Sequence, residues 1–346
     1  MNAKIAPVAA NWDITYACQL RCGYCYTESG RRAIGTPAHE DVLRIADVLG
    51  SMKLGSVQLS GGEPLLMRNL SDIVDRIRAH GTKVAIYTNG LLVNDDNAHE
   101  LCDLFYRIHV SLDGATAEVH DKIRARKGAF AGATSALECL DRAARERRAS
   151  GRPVPRFGFD TVIVQSNFHE IEALCTDIAH RFPNMAFITL GAAVPSGLAT
   201  MAHYAKTELL TVEQLAQLRD DAFKRKIQGL VPAHIDVDLT DNYVLSMAPE
   251  LVAESPGIEK LMHVEADGGV RSMAIYEGTV GNLLNEPPDV LWDRVLEARR
   301  HPVVVEALSS IDTMEKWADA ARRIDMQFAS EPNRQRILLR VTPNTT

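Results

Sequence analysis

Ala17-Cys18-Gln19-Leu20-Arg21-Cys22-Gly23-Tyr24-Cys25-Tyr26 sets three cysteines within eight residues, in the spacing C-x-x-x-C-x-x-C. Three thiolates this close, with no fourth, can ligate three corners of a cuboidal 4Fe-4S cluster and leave one iron without a protein ligand. An open iron admits an outside molecule that chelates through an amine and a carboxylate. Structural zinc asks for four closed ligands, and the nearest candidate, His39, stands well beyond Cys25 without a recognisable ligand spacing. The run is therefore expected to hold one cluster, through Cys18, Cys22 and Cys25. The other cysteines, Cys102, Cys139 and Cys175, are isolated on helix-like segments and read as small buried hydrophobes.

Outward from this run, residues 12 to about 240 alternate short apolar stretches with amphipathic ones, the pattern of βα units around a parallel sheet. Strands are expected at 12–17, 56–60, 83–88, 107–112, 157–164 and 186–191, and helices near 38–53, 69–80, 96–104, 131–149, 168–181 and 211–228. The expected fold class is α/β, a six-unit (β/α) partial barrel over residues 1–235 with a small α+β C-terminal extension over 236–346. Functional loops in such folds follow the carboxyl ends of strands. The cysteine run follows the first strand, Gly61-Gly62-Glu63-Pro64 the second and Thr88-Asn89-Gly90 the third; Ser111-Leu112-Asp113-Gly114 ends the fourth, and Asn167 lies just past the fifth.

The 346 residues, 46% hydrophobic and 24% charged, suit a folded protein with a large core and exclude disordered and fibrous classes. A net charge of -7 with scattered basic residues argues against a nucleic-acid duplex as partner. No signal peptide and no apolar run long enough for a membrane span is expected. Free thiols and an oxygen-sensitive cluster both suit a reducing cytoplasm.

These elements together resemble the radical S-adenosylmethionine (radical SAM) superfamily. The resemblance implies one 4Fe-4S cluster whose open iron binds S-adenosyl-L-methionine, a 5'-deoxyadenosyl radical from its cleavage, and an external electron donor such as flavodoxin or ferredoxin. It implies further that Tyr24 lies near the adenine, and that Gly61, Gly62, Glu63 and Pro64 meet the cofactor's amino group. Asn89, Ser111, Asp113, Arg124 and Asn167 would complete the cofactor site, with Ser111 and Asp113 toward the ribose, Arg124 toward the carboxylate, and Leu190 to Ala192 along the adenine. A protein that uses its cluster only as a redox sensor is an alternative of another class, but a sensor has no use for cofactor elements at four further strand ends.

Past residue 230 the chain becomes irregular around Pro232, Pro249 and Pro256, with a hairpin expected at Asp267-Gly268-Gly269. Helices are expected at 288–300 and 302–310, and a tail or short strand over 328–346. Glu265 to Met273 and Tyr276 to Leu283 resemble the hairpin of SPASM and twitch extensions, with Met273 in a cysteine-like position and no cysteine after Cys175. The resemblance thus implies a degenerate extension without an auxiliary cluster, and so a redox-neutral reaction such as decarboxylation, elimination or epimerisation. The expected substrate is a small polar metabolite, a sugar or nucleoside in natural-product biosynthesis. A peptide or protein maturase is the alternative, disfavoured by the few residues before the first strand. Asp160, Asp236, Asp238, His263, Glu265, Arg271 and Tyr276 are candidate substrate contacts, and no catalytic base is assigned.

Overall fold

The computed structural model describes residues 6–32, 37–248, 260–273, 275–309 and 311–341. Six strands stand where the sequence pattern puts them: β1 Ala9–Thr15, β2 Ser56–Gly61, β3 Lys83–Thr88, β4 Arg107–Ser111, β5 Arg156–Ile163 and β6 Phe187–Ala192. They run parallel and side by side in chain order, each joined to the next by a crossover connection. Helices α1 His39–Ser51, α2 Leu70–Arg78, α3 Asp95–Leu104, α4 Ala117–Arg124 and α5 Ala129–Ala149 fall between them. The apolar face of each strand packs under these helices, where Trp12, Ile45, Phe157 and Phe159 are fully buried. The result is the α/β partial barrel that the sequence implies.

Four elements differ from the sequence reading; the first is the helix expected over 168–181, which is broken into short segments and is α-helical only over Ile171–Ala173. Helix α4 occupies the stretch read only as a motif; Thr116 caps it, its hydroxyl accepting from Val119 N, and its buried residues His120, Ile123 and Arg124 share one face. The helix expected over 211–228 is two, Val212–Arg219 and Asp221–Gly229. Asp220 is extended between them, and its carboxylate accepts from Ala222 N and Phe223 N. Beyond the expected helices, seen as Pro288–Arg299 and Pro302–Leu308, lie Met314–Phe328 and Glu331–Val341, the latter helical where a tail or short strand was expected. Pro249, Pro256 and residues 342–346 lie outside the described residues.

The sheet also continues across the expected boundary at 235/236. Strand β7, Asp236–Thr240, pairs in parallel with β6, while β8 Leu261–Val264 pairs in parallel with β1 on the opposite edge. β9 Gly269–Arg271 and β10 Thr279–Asn282 complete a ten-stranded sheet. The expected hairpin is β8–β9, with Val264 opposite Val270 and Gly268 at φ +88° in its turn.

Strand alternation sends polar residues to the concave side. Asp13, Ser60, Tyr87, His109, Ser111, Asp160 and Thr189 lie on it, in contrast to the branched aliphatic layers of a filled barrel. Below Asp160 on this face stands Gly158, whose added Cβ would lie 2.0 Å from the Phe187 carbonyl oxygen. Gly158→Ala is expected to force β5 from β6 and destabilise the protein by roughly 2 kcal/mol or more, read by chemical denaturation.

Candidate active site

The cysteine loop leaves β1 and curls back over the open end of the sheet. Cys18, Cys22 and Cys25 are free thiols that wall one end of a cavity of about 330 Å³. Among the described residues no three His, Cys, Asp or Glu side chains converge tightly enough to hold a single metal ion. Thiols spread along a wall suit a cluster instead, where each binds a different iron. Burial pushes the Cys22 thiol up to about 12, so iron must displace its proton on binding. Two of the loop's own carbonyls are occupied: Arg21 of the loop donates to Cys18 O at 3.0 Å, and Arg126 from outside it to Gln19 O at 3.3 Å.

Asp113, at the end of β4, fixes this loop from within. It is fully buried; one carboxylate oxygen accepts from Tyr24 and lies 2.6 Å from Arg124 Nε, and the other accepts from Val162 N at 2.9 Å. Its backbone is held as well, the N–H donating to His120 Nδ1 at 2.9 Å and the carbonyl accepting from Asn167 Nδ2 at 2.8 Å. Helix α4 thus delivers His120 and Arg124, one turn apart, to a single residue, the first to the backbone of Asp113 and the second to its carboxylate. Burial and the neighbouring Arg124 push His120 down to about 4, which keeps its Nδ1 an acceptor.

Glu63 does the same work for the β2 and β3 loops. It is fully buried and accepts from Thr88 Oγ1 at 2.8 Å, Asn89 N at 2.8 Å and Leu65 N at 3.1 Å. Burial raises its carboxyl to about 7 despite these donors. Gly61, at φ +104°, and Gly62 let this turn press against the start of the cysteine loop: a Cβ on Gly62 would stand 2.1 Å from the Ala17 carbonyl oxygen.

Tyr24, Gly61, Gly62, Asn89, Ser111 and Arg124 line the cavity with the three cysteines. Glu63, Pro64, Asp113, Asn167 and Leu190 do not. Pro64 and Leu190 are buried, and the polar groups of Glu63, Asp113 and Asn167 are spent on other loops. The expectation that Asp113 faces a ribose is therefore corrected, since both its carboxylate oxygens are engaged by protein. Gly191 and Ala192 line it too, as expected of the Leu190 to Ala192 stretch, and the structure adds Tyr26, Ser60, Tyr87, Thr189 and Asn242. Counting every second residue along β3 and β6 finds Tyr87, Thr189 and Gly191; nothing local marks Asn242.

Of the candidate substrate contacts, only Asp160 lines the cavity, its carboxylate 2.6 Å from His109 Nδ1. His263 pairs with buried Asp13 at 2.7 Å, and Arg271 with Glu265 at 3.0 Å. Burial acts to raise Asp13, but His263 and Arg271 outweigh it and hold the carboxyl below its ordinary value. Tyr276 is fully buried between Ser246 O and Trp317 Nε1, both at 3.0 Å. Asp236 is exposed and paired with Arg156, and Asp238 lies beside it, away from the cavity.

Three thiols on one cavity wall, beside a double-glycine turn at the next strand end, define this site, and residues 12–178 match the Radical SAM superfamily. The chain carries a radical SAM domain. Mycofactocin maturase MftC of Mycobacterium ulcerans is 39% identical to it over 136 residues, 39% of this chain and 37% of that protein. The antilisterial bacteriocin subtilosin biosynthesis protein AlbA of Bacillus subtilis is 35% identical over 136 residues, 39% of this chain and 30% of that protein. The matched stretch thus spans about a third of each relative. Streptococcus suis SuiB, in a structure bound to precursor peptide SuiA, shares the fold at a TM-score of 0.62 and 13% identity, over 90% of this chain and 71% of that one.

The radical SAM domain uses a 4Fe-4S cluster and S-adenosylmethionine, and the residues present fit both: three thiols with no fourth, and a glycine turn whose backbone borders the same cavity. The expectation of a small polar metabolite as substrate and small-molecule partner is corrected by these relatives: one is named a maturase, another a bacteriocin biosynthesis protein, and SuiB is seen bound to a precursor peptide. No helix among the described residues is long and apolar enough to cross a membrane.

Two outcomes test the geometry. Gly62→Ala is expected to displace Ala17 and Cys18, so reconstituted protein should lose several-fold more iron on desalting than wild type, by iron assay. Between pH 6.5 and about 4 the unfolded chain protonates at histidine while folded His120 does not, so stability rises with pH across that window and is lost as pH falls. His120→Gln should remove up to ~3 kcal/mol of that dependence, measured by denaturation at several pH values.

Proposed function

We propose that this chain is a radical SAM maturase acting on a peptide or protein. The observation that carries the reading is the 39% identity to mycofactocin maturase MftC over 136 residues. The likeness in fold to SuiB is compatible with it. When bound, the cluster and S-adenosylmethionine supply a 5'-deoxyadenosyl radical that takes a hydrogen atom from substrate.

This chain's residues would hold and shield that chemistry. Cys18, Cys22 and Cys25 hold the cluster, and Gly61 and Gly62 offer backbone to the cofactor's amino group. Ser111 and Asn89 supply polar side chains beside it, while Tyr24, held by Asp113, covers one face. Arg124 spends its Nε on Asp113 and turns Nη1 toward Cys22 Sγ at 3.9 Å, which leaves Nη2 for a carboxylate. Glu63, Asp113 and Asn167 act behind the wall, by fixing these loops. Asp160, held by His109, is the carboxylate that faces the remaining space.

Residues 236–346 are read as a SPASM- or twitch-like extension that has lost its metal. The β8–β9 hairpin, a buried Met273 and the lack of cysteines beyond Cys175 support this. One cluster per chain is the consequence.

The experiment supplies anaerobically reconstituted, dithionite-reduced protein with S-adenosylmethionine and short candidate peptides, followed by mass spectrometry. A peptide of altered mass, with 5'-deoxyadenosine forming faster in its presence, is the expected result. Deoxyadenosine formation indifferent to every peptide, with a small metabolite consumed instead, would overturn the reading.

A further inference from the structure

Glu28 lies three residues past Cys25, at φ +53°, in the left-handed region that a side chain disfavours. Its carboxylate is buried and is held by Arg336 and Arg340 of the helix Glu331–Val341, with Arg340 Nε donating at 2.7 Å from 312 residues further along the chain. The same two arginines reach the extension. Arg340 bonds Glu277 at 2.7 Å and Asp325 at 3.1 Å, and Arg336 lies 2.8 Å from Glu277. Glu277 N donates to Asp325 Oδ1 at 2.7 Å, closing the network.

Thr27, beside Glu28, carries the effect toward the site. It is buried, its hydroxyl stands 3.4 Å from Cys25 Sγ, and it donates to Gly61 O at 3.2 Å. Any shift of the Glu28 turn therefore moves a group touching both a cluster thiol and the glycine turn. A buried carboxylate stripped of its partners would have to move or take up a proton.

We propose that Arg340 is a positioning residue for the cluster loop: the C-terminal helix, through Arg340 and Arg336 on Glu28, sets the conformation of the turn that carries Cys25. The active site is thereby coupled to the end of the chain, and neither the turn nor the helix holds this arrangement alone. This device is independent of whether the substrate is a peptide.

The test compares Arg340→Gln, Arg340→Lys and Glu28→Gln with the surface control Lys316→Ala. In iron-free protein, hydrogen exchange of residues 25–31 is expected to quicken about tenfold in Arg340→Gln and Glu28→Gln while β2 to β5 stay unchanged. After reconstitution, iron loss to a chelator should quicken about fivefold, with Arg340→Lys intermediate and Lys316→Ala like wild type. The Glu28→Gln/Arg340→Gln double variant should be no worse than either single one. Should Arg340→Gln fail to fold, the isosteric Glu28→Gln carries the same readouts. Unchanged exchange at 25–31, or faster exchange spread evenly through the barrel, would overturn the proposal.

Discussion

A carboxylate with no water around it must find its partners in the protein, and Asp113 finds them on several elements at once. Tyr24 comes from the cysteine loop, Arg124 from α4 and Val162 N from β5, while His120 and Asn167 hold its backbone. Leaving such a group unpaired costs several kcal/mol, so none of these pieces can move without disturbing the others. Glu63 repeats the device between the β2 and β3 loops, and Glu28 between the cysteine loop and the C-terminal helix. Three buried carboxylates thus hold the cavity wall from behind, and none of them is needed inside it.

This arrangement explains why the cavity itself is built from backbone, thiols and neutral side chains. A glycine turn can approach a ligand closely only if it is braced, and Gly61-Gly62 is braced by Glu63 on one side and by the Ala17 backbone on the other. Arg124 and Asp160 are the exceptions, the latter a partly exposed carboxylate on the cavity wall, steadied by a histidine stacked on Tyr87 with ring centroids 4.2 Å apart. The polar concave face leaves space where a closed barrel would have aliphatic layers.

Much of the fold could be read directly. Strands of the parallel sheet are short apolar runs of regular spacing, and consecutive βα units most often place their strands side by side. Helix α4 escaped because its eight residues carry the motif of His120 and Arg124, and a motif read for chemistry hides the helical spacing that places it. Strand β7 and the helix Glu331–Val341 escaped for a different reason. Asp236 to Thr240 is polar at alternate positions, and the last helix owes its place to ion pairs with distant residues rather than to a strong apolar face.

The sequence by itself determined the three-thiol loop, the glycine turn and the α/β architecture, because each depends on residues adjacent along the chain: thiols within one loop, glycines at one strand end, alternation within one segment. Only the tertiary structure decided which polar residues face the cavity and which stand behind it. Ser111 and Asp113 are two apart on one strand end, yet one lines the cavity and the other is buried in an ion pair. That difference is set by what α4 and β5 bring to meet Asp113, groups that lie up to 54 residues away in the chain and reach it only when the barrel has formed.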